Sequence, residues 1–550
     1  MLTYFLKFLM LKINTRIFRF LILERSKIVS LHLEFILLIK KNMKKILLFI
    51  AAIVVVQLYF SACTKEIYTT DAADKLTFSK DTLRFDTVFT QVGSATRSFK
   101  VYNKSDKWIK INKIYLKQGS ASRFHINIDG VAGDNQKDIE IAPKDSMYVF
   151  AEVTINPNQP VSASPFILDE ALIFETNGNN QTVTLEAWGQ NANYIPNRFS
   201  RSKLTVVTED IIWNDPKPYV IYGVLVLNAC QLTIPAGARV YVHGGLVKNK
   251  DLFGGAPFND GIIYADNGGR IVISGTAAKP VVIQSDRIEK EFEDQPGQWG
   301  AIVMGKGSVG NVVQHAIIKN CIVGLRVDSA ATLDIKNTKI YNTSGNGISA
   351  THASVTAQNC LFRSNYSTSV ALDFGGDYKF DYCTIANYGA NADALYLGNT
   401  KCYEKDMAGN CIKALAYPMN ATLRNCIVFG GRPDEISLVE NKQAGFNVKM
   451  NNCVVRVKEI LKTTAYPKFL TDNCTNCING DGGSKLFIKD NIKYKNNPTK
   501  YLNIDTDYHL DTLSIAEKKG LPISGITKDL DGLDRNGTTP DIGCYQYVPK

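Results

Sequence analysis

The chain has little excess charge of either sign once its first 62 residues are set aside. Those residues hold ten Lys or Arg against two Asp or Glu, a surplus of eight, so only +3 of the net charge of +11 belongs to the rest. A nucleic-acid-binding protein carries a basic patch or stripe. We therefore expect no nucleic-acid partner.

Complete metal motifs are also lacking. Cys474 and Cys477 form a Cys-x-x-Cys without the second pair that a four-ligand zinc site needs. Asp529, Asp531 and Asp534 lack the full spacing of an EF-hand. The sequence predicts no metal site and no cofactor, and Ca²⁺ at the three aspartates stays the alternative.

What the N-terminal region contains is a targeting pattern. From an internal start at Met43 the chain continues with two lysines, an apolar run over residues 46–60, and the small residues Ser61 and Ala62 before Cys63. This resembles a bacterial lipoprotein signal. The resemblance implies that Cys63 becomes the lipidated first residue of the mature chain.

Residues 1–42 are then an upstream extension, and residues 63–74 form a tether. A single transmembrane anchor over residues 46–62 is the alternative, and it would be short for a membrane span. Both interpretations place the folded part outside the cytoplasm. We expect a lipoprotein of the outer membrane that faces the periplasm or the cell surface.

A short phrase recurs in the second half of the chain. It has asparagine followed by cysteine or threonine, with one tyrosine in the asparagine position. The asparagines are Asn320, Asn337, Asn359, Asn425 and Asn452, and the residues in the cysteine position are Cys321, Thr338, Cys360, Cys383, Cys426 and Cys453. The steps between the latter are 17, 22, 23, 43 and 27 residues. A coil of about 22 residues therefore repeats, and one step is roughly doubled.

These spacings favour a packing role for the two rows over disulfide or metal chemistry. Free cysteine behaves as a small buried apolar residue, and asparagine tolerates the left-handed backbone of a bend. The cysteine row is predicted to point inward and the asparagine row to lie at the bends, each amide bonding its counterpart in the next coil. The preceding row, Lys319, Lys336, Gln358, Asp381, Arg424 and Asn451, is predicted to be exposed.

Residues 75–192 show a different rhythm. Alternating apolar and polar residues predict strands at residues 83–89, 98–103, 111–116, 147–155, 171–176 and 182–188. No cysteine occurs in this span, which excludes a bridge of antibody type. The pattern predicts an antiparallel β-sandwich. It resembles the immunoglobulin-like modules that precede larger domains in Bacteroidetes envelope proteins, which implies a spacer or a binding platform.

The phrases that follow are those of stacked coils. Leu232 to Val240, Gly268 to Ile271, Lys279 to Ile283 and Gln298 to Gly300 resemble in order the first coils of right-handed parallel β-helix proteins of the pectate-lyase-like class. Residues 501–550 resemble the closing segment of bacterial β-helix proteins. The predicted fold is all-β: an immunoglobulin-like β-sandwich (75–192), a right-handed parallel β-helix (197–500) and a C-terminal cap (501–550).

Catalytic constellations are sparse. A glycoside hydrolase needs two carboxylates about 5–10 Å apart, and the acids of the predicted β-helix do not recur at matching distances after the cysteine row. A lyase needs a Lys or Arg base beside a group that neutralises a uronic carboxylate. The candidates for such a site are Lys336, Asp373, Asp377, Asp381 and Arg424.

The sequence favours a non-catalytic cell-envelope lipoprotein whose β-helix presents a surface to glycans or protein partners. The first alternative is a polysaccharide lyase acting on an acidic glycan. The second is an accessory subunit of an outer-membrane complex. Cys402 and Cys411 bracket a polar loop inside the doubled step and are candidates for a disulfide that closes it.

Overall fold

A computed structural model describes residues 66–89, 94, 96–154, 166–197, 199–288, 292–388, 392–489 and 506–549. The predicted lipidation site Cys63 and its signal sequence lie outside these residues. Within them, no helix is both long enough and apolar enough to span a membrane. The predicted all-β fold is confirmed.

Ten strands form the first domain. They are β1 Leu76–Phe78, β2 Thr82–Phe89, β3 Arg97–Asn103, β4 Ile109–Leu116, β5 Phe124–Ile128, β6 Val131–Ala132, β7 Asn135–Ile141, β8 Ser146–Val153, β9 Phe166–Thr176 and β10 Asn179–Gln190. A 3₁₀ turn lies at Gly119–Ala121. The strands make two five-stranded sheets, in the orders β1-β3-β8-β5-β6 and β2-β10-β9-β4-β7.

The two sheets enclose one apolar core, as in a β-sandwich. Each of the six predicted strands overlaps an observed one, whereas β1, β5, β6 and β7 were missed. In β7 only Ile141 is buried, so alternation gives little signal there. One pair departs from the predicted antiparallel arrangement, because β10 runs parallel to β2.

The rest of the chain contains thirty-four further strands among the described residues. They are β11 Asn193–Ile195, β12 Leu204–Val207, β13 Ile211–Ile212, β14 Tyr219–Ile221, β15 Val224–Asn228, β16 Gln231–Pro235, β17 Arg239–Val242, β18 Leu246–Val247, β19 Phe258–Asn259, β20 Ile262–Asp266, β21 Arg270–Ser274, β22 Val281–Ser285, β23 Trp299–Met304, β24 Asn311–Gln314, β25 Ala316–Lys319, β26 Cys321–Val327, β27 Thr332–Lys336, β28 Lys339–Thr343, β29 Ile348–Gln358, β30 Leu361–Asn365, β31 Val370–Asp381, β32 Thr384–Asn387, β33 Leu395–Gly398, β34 Thr400–Lys405, β35 Cys411–Ala416, β36 Met419–Arg424, β37 Ile427–Gly430, β38 Ile436–Val439, β39 Phe446–Asn451, β40 Val454–Val455, β41 Cys474–Thr475, β42 Ile478–Asn479, β43 Phe487–Lys489 and β44 Asp507–Leu510. Short helical turns lie at Phe253–Gly255, Ile460–Lys462 and Phe469–Asp472.

Most of these strands stack into a parallel β-helix with three faces. Face 1 holds β12, β15, β20, β23, β26, the first parts of β29 and β31, β33 and β38. Face 2 holds β13, β16, β21, β24, β27, the second parts of β29 and β31, β36, β39 and β41. Face 3 holds β11, β14, β17, β22, β25, β28, β30, β32, β37, β40 and β42. The core within the coils is continuous from Trp213 to Phe469.

The β-helix begins before the predicted residue 197, and its last strand ends before the predicted residue 500. Strand β11 lies between the predicted sandwich (75–192) and the predicted β-helix (197–500), and it already pairs with β14 on face 3. At the other end, β42 is the last strand of face 3 and ends at Asn479. The predicted tether is also partly engaged, because Tyr68 bridges to Trp108 of the sandwich.

The corner between faces 2 and 3 is a row of single left-handed residues. They are His315, Asn337, Asn359, Tyr382, Asn425, Asn452 and Asn476, with φ between 45° and 52°. The next residue in each coil is Ala316, Thr338, Cys360, Cys383, Cys426, Cys453 or Cys477. Cys477, which the sequence pattern left in an isolated Cys-x-x-Cys, therefore continues the row.

Asn320 and Cys321 do not belong to this row, which corrects the predicted ladder. Lys319 pairs with Tyr341, so Asn320 lies at the corner between faces 3 and 1, level with Asn342. The 17-residue step joins two different corners. Both corners use left-handed asparagine, because each bend needs a positive φ that most side chains disfavour.

Free thiols line the inside of the row. Cys360, Cys383, Cys426 and Cys453 are fully buried and unoxidised. The backbone N–H of Cys383 donates to Sγ of Cys426 at 3.4 Å, and that of Cys426 donates to Sγ of Cys453 at 3.4 Å. The thiols thus fill the corner and accept its backbone hydrogen bonds.

The doubled step is one coil with an insertion. Strand β32 pairs directly with β37, and β31 pairs directly with β36, so no coil intervenes. The additional residues include the antiparallel hairpin β34–β35 between faces 1 and 2. Cys402 and Cys411 form a disulfide across this hairpin, and the other described cysteines are free.

Residues 480–489 and 506–549, called here the C-terminal cover, lie along face 3. Their apolar side chains join those of face 3 in a second core outside the coils. The cover also meets the asparagine corner: Asn425 exchanges two hydrogen bonds with the backbone of Leu521, and Asn359 accepts from Arg535. The predicted cap (501–550) therefore protects a flank of the β-helix.

These contacts change the role of the asparagine amides. Asn359 donates to Oδ1 of Asn337 at 3.1 Å, as an asparagine ladder requires. Tyr382 then interrupts the row, and its hydroxyl donates to the carbonyl of Leu521. Asn452 donates to the carbonyl of Lys519. Beyond Tyr382 the amides therefore hold the cover and not one another.

Candidate functional site

The outer surface of face 2 carries three aligned rows of polar side chains. In a strand alternate residues point outward, and parallel pairing aligns them from coil to coil at about 4.8 Å. The rows are Thr332, Ser354, Asp377, Asn420, Asn447; then Asp334, Thr356, Lys379, Thr422, Lys449; then Lys336, Gln358, Asp381, Arg424, Asn451. A shallow groove of about 360 Å³ follows the middle of these rows.

An ion pair between adjacent coils borders this groove, and Arg424 is the member that lines it. Arg424 binds Asp381 at two points, with Nε–Oδ1 at 2.6 Å and Nη2–Oδ2 at 2.7 Å. Lys379 Nζ approaches the same carboxylate at 3.7 Å. Asp381 is only 5% exposed, which corrects the prediction that its row is exposed. The hydrogen bonds that Arg424 donates to Asp381 raise the pKa of Arg424 above its ordinary value.

Most of the other charged groups of face 2 also have partners, and Lys449 is the exception among those described below. Asn420 donates to Asp377 at 3.0 Å, and Asn447 donates to Asn420 at 3.0 Å. Lys336 pairs with Asp334 of its own strand at 2.8 Å. Lys449 makes no ion pair among the described residues.

The five lyase candidates do not converge. Asp377 and Arg424 line the groove, and Asp381 is buried against Arg424. Lys336 is two coils from Asp381 in the same row, a separation of about 10 Å. Asp373 lies on face 1, beyond the left-handed bend at Phe374. The predicted cluster of five is therefore wrong as a single site.

Asp373 has its own surroundings. Its Oδ1 accepts from the backbone N–H of Phe374 at 2.9 Å and from the hydroxyl of Tyr396 at 3.5 Å. Burial raises the pKa of Asp373, and burial together with this carboxylate raises the pKa of Tyr396 to about 12. The cation that acts on Asp373 is Lys401 of the inserted hairpin.

Face 1 holds a second carboxyl group whose pKa is raised by burial, Asp393. It pairs with Arg432 at 2.9 Å. Asp373 adjoins Gly398 at one end of β33, whereas Asp393 precedes the other end. Gly398 is five residues after Asp393, and five residues of extended chain span about 16 Å. The carboxyl groups of Asp373 and Asp393 are therefore separated by about that distance. This separation exceeds the 5–10 Å that a pair of glycosidase carboxyls spans.

The predicted calcium alternative is not supported by the placement of its residues. Asp529 accepts backbone N–H groups from Asp531 and Leu533. Asp531 contacts His509 and Lys339, and Asp534 contacts Lys528. No group of three or more His, Cys, Asp or Glu in the described part of the chain is arranged to hold a metal ion. The three aspartates organise the cover.

Sequence reasoning missed Thr356, Asn420, Thr422, Asn447 and Lys449. A signal for them exists, because they lie four or six residues before the cysteine-row residue of their coil. Only the position two residues before, which contains Lys336 and Asp381, was predicted as an outer row. Counting back in steps of two along the strand identifies the whole face.

A family model described as a pectate-lyase-like β-helix domain matches residues 205–318. No curated protein matches the chain. This stretch of the chain is thus similar to a pectate-lyase-like β-helix domain, and the match covers the coils before the groove of face 2.

Three solved structures are similar at low identity. A protein of unknown function from Porphyromonas gingivalis W83 is 11% identical over 25% of this chain and 59% of its own, with a TM-score of 0.17. The periplasmic chaperone SfaE is 10% identical over 21% of this chain and 57% of its own, with a TM-score of 0.15. The catalytic unit of a GH87 α-1,3-glucanase from Streptomyces thermodiastaticus strain HF3-3 is 9% identical over 65% of this chain and 73% of its own, with a TM-score of 0.22. The chain thus spans less than two thirds of the first two structures, and TM-scores this low carry no argument about function.

Proposed function

We propose that the protein is a non-catalytic, lipid-anchored envelope protein whose face 2 binds an acidic glycan. The observation that carries this proposal is the ion pair of Arg424 with Asp381. A lyase base must lose its proton near neutral pH, and the carboxylate drives the pKa of Arg424 in the opposite direction. The remaining groups of the groove are suited to binding.

Two exposed lysines of face 2 favour an acidic ligand. Asp381 is buried beneath Arg424. Lys379 and Lys449 are exposed in the middle row, on either side of Thr422. Two coils separate the lysines by about 10 Å. An extended glycan chain that crosses successive coils can place carboxylate or sulfate groups on both lysines. Its hydroxyls can then form hydrogen bonds with Thr422 and Asn420.

The test uses the soluble chain without its leader and three probes: polygalacturonate, chondroitin sulfate and neutral cellohexaose. We expect at least one acidic probe to bind, and the double variant Lys379→Ala/Lys449→Ala to weaken that binding about tenfold, since each lost exposed charge contact is worth up to ~1 kcal/mol. The matched control is Lys248→Ala/Lys250→Ala, which removes two exposed lysines on the β18–β19 insertion.

Two outcomes would count against the proposal. Equal loss of binding in the control variant would mean that only the total charge matters. Release of unsaturated uronic products from either acidic probe would establish a lyase and refute the non-catalytic part. An Arg424→Ala variant separates these roles, because it should abolish a lyase but leave the two lysines in place.

The lipid anchor is the second part of the proposal, and it is motivated by the small residues before Cys63. We propose that lipidated Cys63 anchors the chain and that the sandwich, as an immunoglobulin-like module, is a spacer below the β-helix. Metabolic labelling with a fatty-acid analogue should mark the wild-type protein and not Cys63→Ala. Equal labelling of both proteins would refute the anchor.

A further inference from the structure

The outer surface of the sheet β1-β3-β8-β5-β6 exposes an aromatic pair. Strand β8 buries Met147, Val149, Ala151 and Val153 and turns the residues between them outward. Two of those residues are Tyr148 and Phe150, at 45% and 36% exposure. Their ring centroids are 5.8 Å apart and their planes differ by 24°. Neighbouring exposed aromatic rings commonly mark a binding surface.

A cleft of about 410 Å³ adjoins Phe150. Its lining includes His125, Asn127 and Glu152. Asn127 is directly opposite Phe150 on β5, and Ser98 is opposite it on β3. The ring of Phe150 is therefore bordered by polar side chains on both neighbouring strands. The size of the cleft lies within the range of small-molecule sites.

Asn127, which lines the cleft, has one polar atom without a hydrogen-bond partner among the described residues. The side-chain oxygen of Asn127 is buried and accepts no hydrogen bond in the described part of the protein. A buried acceptor without a donor costs free energy, so a ligand hydroxyl that donates to it would gain that energy on binding. His125 is fixed beside it, because its Nδ1 contacts Asp134 Oδ2 at 3.0 Å.

We propose that this surface is a second binding site and that its ligand is a neutral sugar residue of a glycan. A pyranose ring has an apolar face of C–H groups and a rim of hydroxyls. The apolar face suits the exposed ring of Phe150, and the hydroxyls suit the amide of Asn127 and the carboxylate of Glu152. One face of Tyr148 is occupied by Lys100 Nζ at 4.6 Å, so Phe150 is the main platform.

Charge selects against uronic acids at this site. Glu152 lines the cleft and Asp134 adjoins it through His125. Like charges placed close together disfavour binding. The ligand class therefore differs from the acidic glycan proposed for face 2, and the two sites do not depend on each other.

The experiment measures binding of hexasaccharides to the soluble full chain without its leader by calorimetry. The neutral probes are cellohexaose, xylohexaose, mannohexaose and maltohexaose, and the acidic probe is hexagalacturonate. We expect at least one neutral probe to bind, and Phe150→Ala and Asn127→Leu each to weaken it about tenfold, the loss of one aromatic or hydrogen-bonding contact. Tyr403→Ala, which removes an exposed ring from the β34–β35 hairpin, is the matched control and should bind as the wild type does.

Three results would overturn the proposal. One is that no neutral probe binds the wild-type chain. Another is binding unaffected by Phe150→Ala and Asn127→Leu in variants whose melting temperatures match the wild type. The third is a hexagalacturonate affinity equal to that of the best neutral probe and equally sensitive to Phe150→Ala. The Lys379→Ala/Lys449→Ala variant should bind the neutral probe normally, so failure at one site is distinguishable from failure at the other.

Discussion

Arg424 and Asp381 form a two-point ion pair across adjacent coils, although 43 residues separate them in the chain. The side chain of Asp381 is 7% exposed and that of Arg424 is 34% exposed. The pair thus lies between a buried and a surface salt bridge. Its removal tests how much the pair contributes to the free energy of unfolding.

Arg424→Ala should lower the free energy of unfolding by roughly 2 kcal/mol, because it leaves a buried carboxylate without its cation. Asp381→Asn combined with Arg424→Gln should cost less than the sum of the single changes, since both charges leave together. Urea denaturation of the wild type, the single variants Asp381→Asn and Arg424→Gln, and the double variant measures the coupling energy. A coupling below about 0.5 kcal/mol would contradict a structural role for the pair.

Arg535 should hold the C-terminal cover. Its guanidinium donates to Oδ1 of Asn359 at 2.9 Å and to the carbonyl of Gly543 at 3.0 Å, and it lies 3.8 Å from the ring centroid of Tyr382. We expect Arg535→Ala to cost about 3 kcal/mol. Arg535→Lys should recover little, because lysine lacks the planar fork.

Limited proteolysis of the folded variants shows which part of the chain the loss of Arg535 destabilises. The cover should be cleaved faster in Arg535→Ala, while the coils stay resistant. Lys528→Ala, which removes an exposed ion pair of the same segment, should change stability by less than about 1 kcal/mol. Equal cleavage rates in Arg535→Ala and wild type would contradict this role.

Stability should fall with rising pH because of Glu435. Its carboxylate accepts backbone N–H groups from Ala394 and Arg432, and burial raises its pKa from 4.5 to about 8. The folded chain therefore holds this proton more tightly than the unfolded chain. The resulting stabilisation is complete below about pH 4.5 and is lost as the pH rises through about 8.

Glu435→Gln cannot titrate, so its free energy of unfolding should depend less on pH across this window. The slope should differ from that of the wild type by up to about 1.4 kcal/mol per pH unit. Urea denaturation at intervals from pH 5 to about pH 8.5 measures both slopes. Parallel curves for the two proteins would refute the assignment.

The disulfide of the β34–β35 hairpin should stabilise the hairpin alone and not the coils. Cys402 and Cys411 are nine residues apart, and closing so short a loop is worth about 2.5 kcal/mol in the unfolded-chain model. Because β31 pairs with β36 without the hairpin, Cys402→Ser/Cys411→Ser should leave the thermal midpoint of the coils unchanged. Proteolysis near the fully exposed Met407 should become faster. A large fall in the midpoint would contradict a local role.

The sequence by itself determined the stacked fold. A left-handed asparagine before a small inward residue is a local requirement of the bend, so it recurs at the coil length and can be read from spacing. The sequence could not assign Asn320 to its corner, since both corners of a coil demand the same residue. It identified the doubled step and the polar loop inside it, but it could not show that the loop is a hairpin outside a single coil.

Only the tertiary structure decided the surface. The periodic row places Asp381 next to Arg424 but does not show that the two form a largely buried ion pair. Asn359 meets Arg535 over 176 residues, and no periodic pattern connects these two positions. Pairing between coils brings Lys379 and Lys449 into one row, and pairing within the sandwich places Asn127 beside Phe150. Local propensity fixes where the chain bends, whereas the register of distant strands fixes which side chains meet.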